Sequence, residues 1–187
     1  MGVVEDFKQV NDLLIEGLGS QAQVPPGDVD MNSLLEPIKE DRAEVQKRLA
    51  AIADGAKGSA VKNIAKDIFT TGGKRLRPSL VLLCARVLQA HRNKSSSSTS
   101  PPMDSKLPDE VYRLAVLVEV LHTASLVHDD ILDDASMRRQ QNAAHTVYGN
   151  DQAILAGDYL FARGTELLES LESPYITKLI ALVLYAF

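Results

Sequence analysis

Apolar residues recur along this chain at helical spacing, interrupted by short polar or Gly/Pro breaks. Residues 3–18 form a weak helical stretch, and Gly19 to Asp30, with Pro25-Pro26-Gly27, reads as a linker. From Met31 to about Ala53, the positions Leu34, Leu35, Ile38, Val45 and Leu49 predict a helix that Asp54-Gly55 ends. A second helix is predicted from about Ser59 to Phe69 and is broken by Thr70-Thr71-Gly72-Gly73. Pro78 opens a third, running to about His91, since proline is at home in a first helical turn. The strongest pattern is Val111, Leu114, Ala115, Val118 and Leu121, a helix that continues toward Asp133. Pro108-Asp109-Glu110 gives it a favourable start. Two more helices are expected at about 150–169 and 174–186, and no strand alternation persists. The fold class is therefore all-α, an antiparallel helix bundle. Residues 1–30 are an extension and linker, and residues 31–187 are one helical unit. Asn93 to Pro108, containing Ser95-Ser96-Ser97-Ser98-Thr99-Ser100-Pro101-Pro102, is low in complexity and reads as a disordered insertion between two similar helical regions.

Composition agrees with a Leu/Ala/Val-packed helical protein: 45% of the 187 residues are hydrophobic, 5% are aromatic and none is Trp. The net charge of -5 gives a nucleic-acid partner no global electrostatic support. An anionic substrate would need a local basic patch or bound cations. The single Cys84 lies in the apolar run Leu80 to Ala85 and is expected to be a buried, inert thiol. No apolar run approaches the ~20 residues that span a bilayer. The start Met1 to Phe7 is acidic and shows neither a signal-peptide nor a transit-peptide pattern. A soluble intracellular protein is the expectation, in plastid or cytoplasm.

Charge is concentrated in two places. The first is Asp129-Asp130-Ile131-Leu132-Asp133-Asp134, at the end of the apolar helix. Helical spacing pairs Asp129 with Asp133 and Asp130 with Asp134 on adjacent faces. So dense a set of carboxylates repels itself unless water or cations screen it. Hard divalent ions, Mg²⁺ above all, take carboxylate and phosphate oxygens together, so the cluster suits a metal-bridged diphosphate. The alternative is a solvated acidic helix end. Acidic groups at a helix C-terminus oppose the macrodipole, which weighs against it. The spacing and the missing central Gly do not fit an EF-hand. Downstream, Arg138 and Arg139 offer planar donors to phosphate oxygens, or else a surface pair answering the aspartates.

The second place is Gly72-Gly73-Lys74-Arg75-Leu76-Arg77-Pro78, with three cations in four residues before a helix start. Glycines permit close backbone approach, and the helix N-terminus adds N–H donors. The segment is an anion site or an exposed basic turn, and its spacing is not that of a Walker A loop. His122, seven residues before Asp129, shares nearly the same helix face. It is a candidate donor, although a lone helical histidine is more often structural.

Together these segments resemble the trans-type polyprenyl diphosphate synthase family, the solanesyl diphosphate synthase-like members in particular. The basic turn is similar to the family's Gly-Gly-Lys-Arg-x-Arg-Pro motif. Asp129 to Asp133, with Arg138-Arg139, resembles its first aspartate-rich motif, and Leu155-Ala156-Gly157-Asp158-Tyr159-Leu160-Phe161 a further family segment. The likeness runs from about Leu34 to about Leu184, apart from the Ser-rich insertion. It implies the isoprenoid synthase type of helix bundle, incomplete at the C-terminus, and a Mg²⁺-dependent 1'-4 condensation of isopentenyl diphosphate with an allylic prenyl diphosphate. In that reading Lys74, Arg77, His122 and Arg139 hold isopentenyl diphosphate. Asp129 and Asp133 ligate Mg²⁺ with Asp130 in support, and Arg138 contacts the allylic diphosphate. Ala124 and Ser125 occupy the places that set product length, and their small size implies a long-chain all-trans product, such as a quinone side chain. A homodimer or heteromer is the family expectation. Two departures stand out. Gln140 replaces the usual Gly after the arginine pair, and no second aspartate-rich cluster occurs in the sequence. The alternative reading is accordingly a truncated, inactive fragment or a non-catalytic partner subunit.

Overall fold

The computed structural model describes residues 35–70, 73–95, 106–138 and 141–185. The expected helix at 3–18, the linker at 19–30, most of the Ser-rich insertion, Gly72, Arg139 and Gln140 lie outside these residues. Residues from Leu35 onward cluster into one unit, made of seven helices and one minimal hairpin among the described residues. A 3-10 turn at Glu36–Ile38 leads into α1 (Lys39–Asp54), followed by α2 (Ser59–Thr70), α3 (Leu76–Ser95) and α4 (Asp109–Leu132). After α4 come β1 (Met137–Arg138) and β2 (Gln141–Asn142), then α5 (Ala144–Tyr148), α6 (Asn150–Glu169) and α7 (Pro174–Tyr185).

The all-α expectation therefore holds, with two elements that periodicity could not announce. The antiparallel ladder pairs Met137 with Asn142 and Arg138 with Gln141. Two residues per strand are too few for an alternation signal, and the five residues of α5 too few for a helical one.

Helix α4 is the centre of the packing. Tyr112, Ala115, Val116, Leu117, Val120, Ala124 and Val127 are all buried on it, because α1, α3 and α6 surround it. By length and composition α4 could cross a bilayer, which a search for uninterrupted apolar runs misses. More than half of its apolar window is buried inside the protein, so its apolarity serves the core.

The most extensive pairing is α4 against α6. Helix α6 turns a face of small residues toward its partner, with Ala153, Ala156, Gly157 and Gly164 buried around Leu160. A β-carbon at Gly164 would stand 2.5 Å from Leu121 Cδ2, and one at Gly157 would collide with the His128 ring. The glycines set how closely the helices approach.

A buried polar cluster fixes α1 and α3 around α4. Asp41, 3% exposed, accepts Arg86 Nε and Nη2 at 2.8 and 2.9 Å and the Tyr112 hydroxyl at 2.6 Å. A forked guanidinium satisfies both carboxylate oxygens, which makes burying that charge tolerable. Burial, and then the hydrogen bond to Asp41, push the Tyr112 phenol from 10.0 up to about 12.

Helix α3 starts two residues before Pro78, because Arg75 O accepts both the Ser79 N–H at 3.1 Å and its hydroxyl at 2.8 Å. Among its described side chains it buries one side only, through Pro78, Ser79 and Leu82. Leu80, Val87 and Leu88 face outward, and Cys84 is exposed with them rather than buried as expected. The run Leu80 to Ala85 is apolar on both faces, so pattern alone did not say which side turns inward. On α7, no described residue is buried.

The end of α4 also corrects the expected carboxylate geometry. Asp133 is the C-cap and Asp134 takes φ 51°. Asp134 N–H donates to Ile131 O at 3.3 Å and Ala135 N–H to Asp130 O at 2.9 Å. These two bonds are the Schellman pattern, with an aspartate where glycine is usual. The chain reverses at Asp134, so Asp130 and Asp134 do not form the expected pair on a continuing helix face. Asp129 and Asp133 keep the one-turn relation, with Asp133 N–H donating to Asp129 O at 2.8 Å.

Three measurements check these assignments. Gly164→Ala should lower stability by about 1–2 kcal/mol in urea unfolding, despite alanine's better helix propensity, because the added carbon overpacks against Leu121. Asp134→Gly should raise it by about 1 kcal/mol, or ~2–4 °C in thermal unfolding, by relieving the left-handed backbone. Unfolded tyrosine ionises near 10 and folded Tyr112 at about 12, so between those values the unfolded chain holds fewer protons. Stability should fall as pH rises through that window, and Tyr112→Phe should remove this component of the slope.

Candidate diphosphate site

Helices α2 and α4, the hairpin and α5 enclose a pocket of about 410 Å³. From α4 it receives Glu119, His122, Thr123, Leu126, Val127 and Asp130, which recur at steps of three and four and so share one face. Ile64, Asp67 and Ile68 come from α2, and Val147 and Tyr148 from α5. The floor is apolar, and its ionised groups are paired. Asp130, 7% exposed, accepts Arg138 Nε at 2.8 and 2.7 Å through its two oxygens. Asp67 accepts the Tyr148 hydroxyl at 2.6 Å, and this bond holds the phenol above its ordinary range. Glu119 accepts Arg75 Nη1 at 2.6 Å.

A second pocket of about 360 Å³ adjoins the first and is lined by Gly73, Lys74, Arg75, Leu76, Arg77, Glu119 and His122. Arg75, Glu119 and His122 line both. The structure thus brings the basic turn, His122 and the helix of the aspartates together. It also sorts the three cations of the turn. Lys74 and Arg77 are exposed, while Arg75 points inward to Glu119 and to the carbonyls of Ile68 and Phe69 at 3.2 and 2.8 Å.

The aspartates divide likewise. Asp129 and Asp133 are exposed one turn apart, and Asp130 is turned inward onto Arg138. In this arrangement Asp130 and Arg138, expected to serve metal and allylic diphosphate, engage each other. The exposed pair offers hard oxygen donors that fit a small divalent cation whose remaining positions go to phosphate oxygens and water. No group of three or more metal-capable side chains converges among the described residues. Ala124 is fully buried in the core, and Ser125 is half-buried with its hydroxyl donating to His122 O at 2.9 Å. Neither lines the pocket.

The helix segment at Leu155 to Phe161 takes part from behind. His128, adjacent to Asp129, lies over Gly157, with Nε2 3.3 Å from Ile154 O and 3.6 Å from Asp158. Glu119 was not singled out in the sequence, although a carboxylate within an apolar helix was a signal for it. Asp67 and Tyr148 are 81 residues apart and carried none.

Comparison with known proteins gives these features a family. The polyprenyl synthetase family model matches residues 59–187. Solanesyl-diphosphate synthase 2, chloroplastic, of Oryza sativa is 37% identical over 162 residues, which is 87% of this chain and 38% of the rice protein. A prenyl transferase of Synechocystis is 33% identical, over 85% of this chain and 45% of that protein. The polyprenyl synthase of Caulobacter crescentus, solved with calcium and isoprenyl diphosphate, superposes with a TM-score of 0.63 at 31% identity, over 80% of this chain and 40% of that one. The heptaprenyl diphosphate synthase of Staphylococcus aureus gives 0.64 at 28% identity, over 77% and 41%. The chain spans about two fifths of the length of the rice, Synechocystis and Arabidopsis relatives. A family model that matches residues 59–187, and relatives at 33–37% identity over most of this chain, show that it belongs to the polyprenyl synthetase family.

Proposed function

We propose that these residues form the diphosphate-binding portion of a trans-prenyltransferase, which joins isopentenyl diphosphate to an allylic prenyl diphosphate and makes a long-chain all-trans polyprenyl diphosphate. The observation that carries this reading is the convergence of Lys74, Arg77 and His122 on one pocket, with the exposed Asp129–Asp133 pair farther along the helix that bears His122. In this reading Lys74 and Arg77, with Arg139, neutralise the diphosphate of isopentenyl diphosphate, and His122 donates to it. Asp129 and Asp133 hold Mg²⁺, supported by Asp130, and Arg138 turns from Asp130 to the allylic diphosphate. Mg²⁺, when bound, stabilises negative charge on the departing diphosphate. Arg138 adds to that stabilisation by a charge-assisted hydrogen bond.

The allylic carbon–oxygen bond breaks and leaves a carbocation. The isopentenyl double bond supplies the electron pair for the new carbon–carbon bond, and a proton is then lost. Ile64, Ile68, Leu126, Val127 and Val147 supply the apolar part of the pocket lining, a surface suited to the hydrocarbon chain that bears the cation. A long product is supported by the solanesyl and nonaprenyl diphosphate synthases among the relatives. Association into a homodimer or heteromer is part of the same reading.

A second reading, in which the chain binds diphosphate without turnover, is favoured by the exposed carboxylate pair having no further metal-capable side chain converging on it among the described residues. Calorimetry with inorganic pyrophosphate tests the shared part. Affinity should depend on Mg²⁺, and Asp129→Ala/Asp133→Ala should weaken it at least ~10-fold, since two charge-assisted metal contacts are lost. Equal affinity with and without Mg²⁺ would remove the metal role of Asp129 and Asp133 from both readings. Incubation with Mg²⁺, farnesyl diphosphate and labelled isopentenyl diphosphate separates them: elongated product supports the first, and binding without product supports the second.

A further inference from the structure

The buried Arg75–Glu119 ion pair stands between the two pockets and has no role in the scheme above. We infer that it is a positioning device for the adjacent diphosphate site, holding the basic turn in the one shape that presents Lys74 and Arg77 beside His122. The inference rests on the reading that Lys74, Arg77 and His122 bind a diphosphate.

Three observations carry it. Arg75 takes φ 46°, a left-handed conformation that costs an arginine energy and persists only where its surroundings enforce it. The enforcement comes from its side chain, which is 12% exposed. It donates to Glu119 Oε1 at 2.6 Å and to Ile68 O and Phe69 O at 3.2 and 2.8 Å, with its guanidinium 5.9 Å from the centre of the Phe69 ring. Its backbone carbonyl meanwhile caps Ser79 at the start of α3. One residue therefore ties the end of α2, the middle of α4 and the start of α3. The left-handed turn at Arg75 sends Lys74 and Arg77 outward on either side of this anchor, and both are exposed while Arg75 is not.

Glu119 completes the device. It is 7% exposed at its side chain and lies one helical turn before His122. The cation turn and the histidine are thus referenced to the same stretch of α4. Both members of the pair line both pockets, so the pair is also the wall between the basic pocket and the apolar one.

The sign of one substitution separates positioning from simple electrostatics. Glu119 is a negative charge at the edge of a site for an anion. By Coulomb's law alone, Glu119→Gln should tighten anion binding, and Arg75→Lys, which keeps the charge, should leave it unchanged. If the pair positions the turn, both variants weaken binding. Lysine cannot reproduce the fork that reaches a carboxylate and two carbonyls at once.

Titration calorimetry of isopentenyl diphosphate into the full chain reads this out, with thermal unfolding of each variant to establish that it is folded at the assay temperature. The expected result is a loss of affinity of about fivefold to tenfold in both Glu119→Gln and Arg75→Lys, the scale of a disrupted charge-assisted contact. Unchanged or tighter binding in both folded variants, with Lys74→Ala still weakening it, overturns the positioning role and leaves the diphosphate reading intact. Absence of isopentenyl diphosphate binding by the wild-type chain, or no effect of Lys74→Ala, overturns the diphosphate reading and the inference with it. If Arg75→Lys does not fold, the sign of the Glu119→Gln effect decides alone.

Discussion

The close approach of α4 and α6 is the constraint on which the rest of the structure depends. Gly157 and Gly164 remove the side chains that would hold these helices apart, and Leu121 and His128 occupy the space. Because α4 is thereby covered along one side, its apolar residues can be enclosed almost completely, with α1 and α3 closing the remainder. Most of what bears charge in the candidate site is attached to this helix or bonded to it: Glu119, Asp129, Asp130 and Asp133 lie on it or at its cap, and Arg75 and Arg138 are paired to it. His128 lies in the α4–α6 seam next to Asp129, so the seam also sets where the exposed aspartate pair begins.

Partly buried arginines paired to buried carboxylates then do what apolar packing cannot, which is to fix angles. Arg86 meets Asp41 with two hydrogen bonds, and Arg75 meets Glu119 and two backbone carbonyls. Each joins a helix end or helix face to another element far away in the chain. Such pairs add little net stability over apolar residues of similar volume, because desolvation offsets the attraction. Removing one partner is costly, since a buried charge is left alone. Direction and register are therefore what these pairs contribute here. Arg138, more exposed than these two, bends back from the hairpin to Asp130 and keeps that carboxylate occupied.

The carboxylate cluster is thus a graded set. Asp129 and Asp133 are exposed and one turn apart, Asp130 is inward and paired, and Asp134 belongs to the reversal of the chain. A Schellman end on α4 allows this division, because it stops the helix one residue before a second pair could form. Self-repulsion between Asp130 and Asp134 is relieved by the chain reversal, and Asp129 and Asp133 are left in solvent.

Periodicity and punctuation by themselves determined that the chain is helical, where most of its helices lie, and that its charges gather in a basic turn and an acidic helix end. Those features are local: an apolar stripe, a Pro or a Gly-rich break acts through residues within a turn or two of itself. The motif order also carried the family, because a few residue types at fixed short spacings suffice for it. Only the tertiary structure decided which of Lys74, Arg75 and Arg77 turns inward, which aspartate is spent on an arginine, and which side of α3 leaves Cys84 exposed. It alone produced the hairpin, α5 and the bond from Tyr148 to Asp67. The reason is separation along the chain. Arg75 and Glu119 are 44 residues apart, and Arg86 and Asp41 are 45. Nothing in the sequence near an arginine states which buried carboxylate it will meet; helix packing makes that choice.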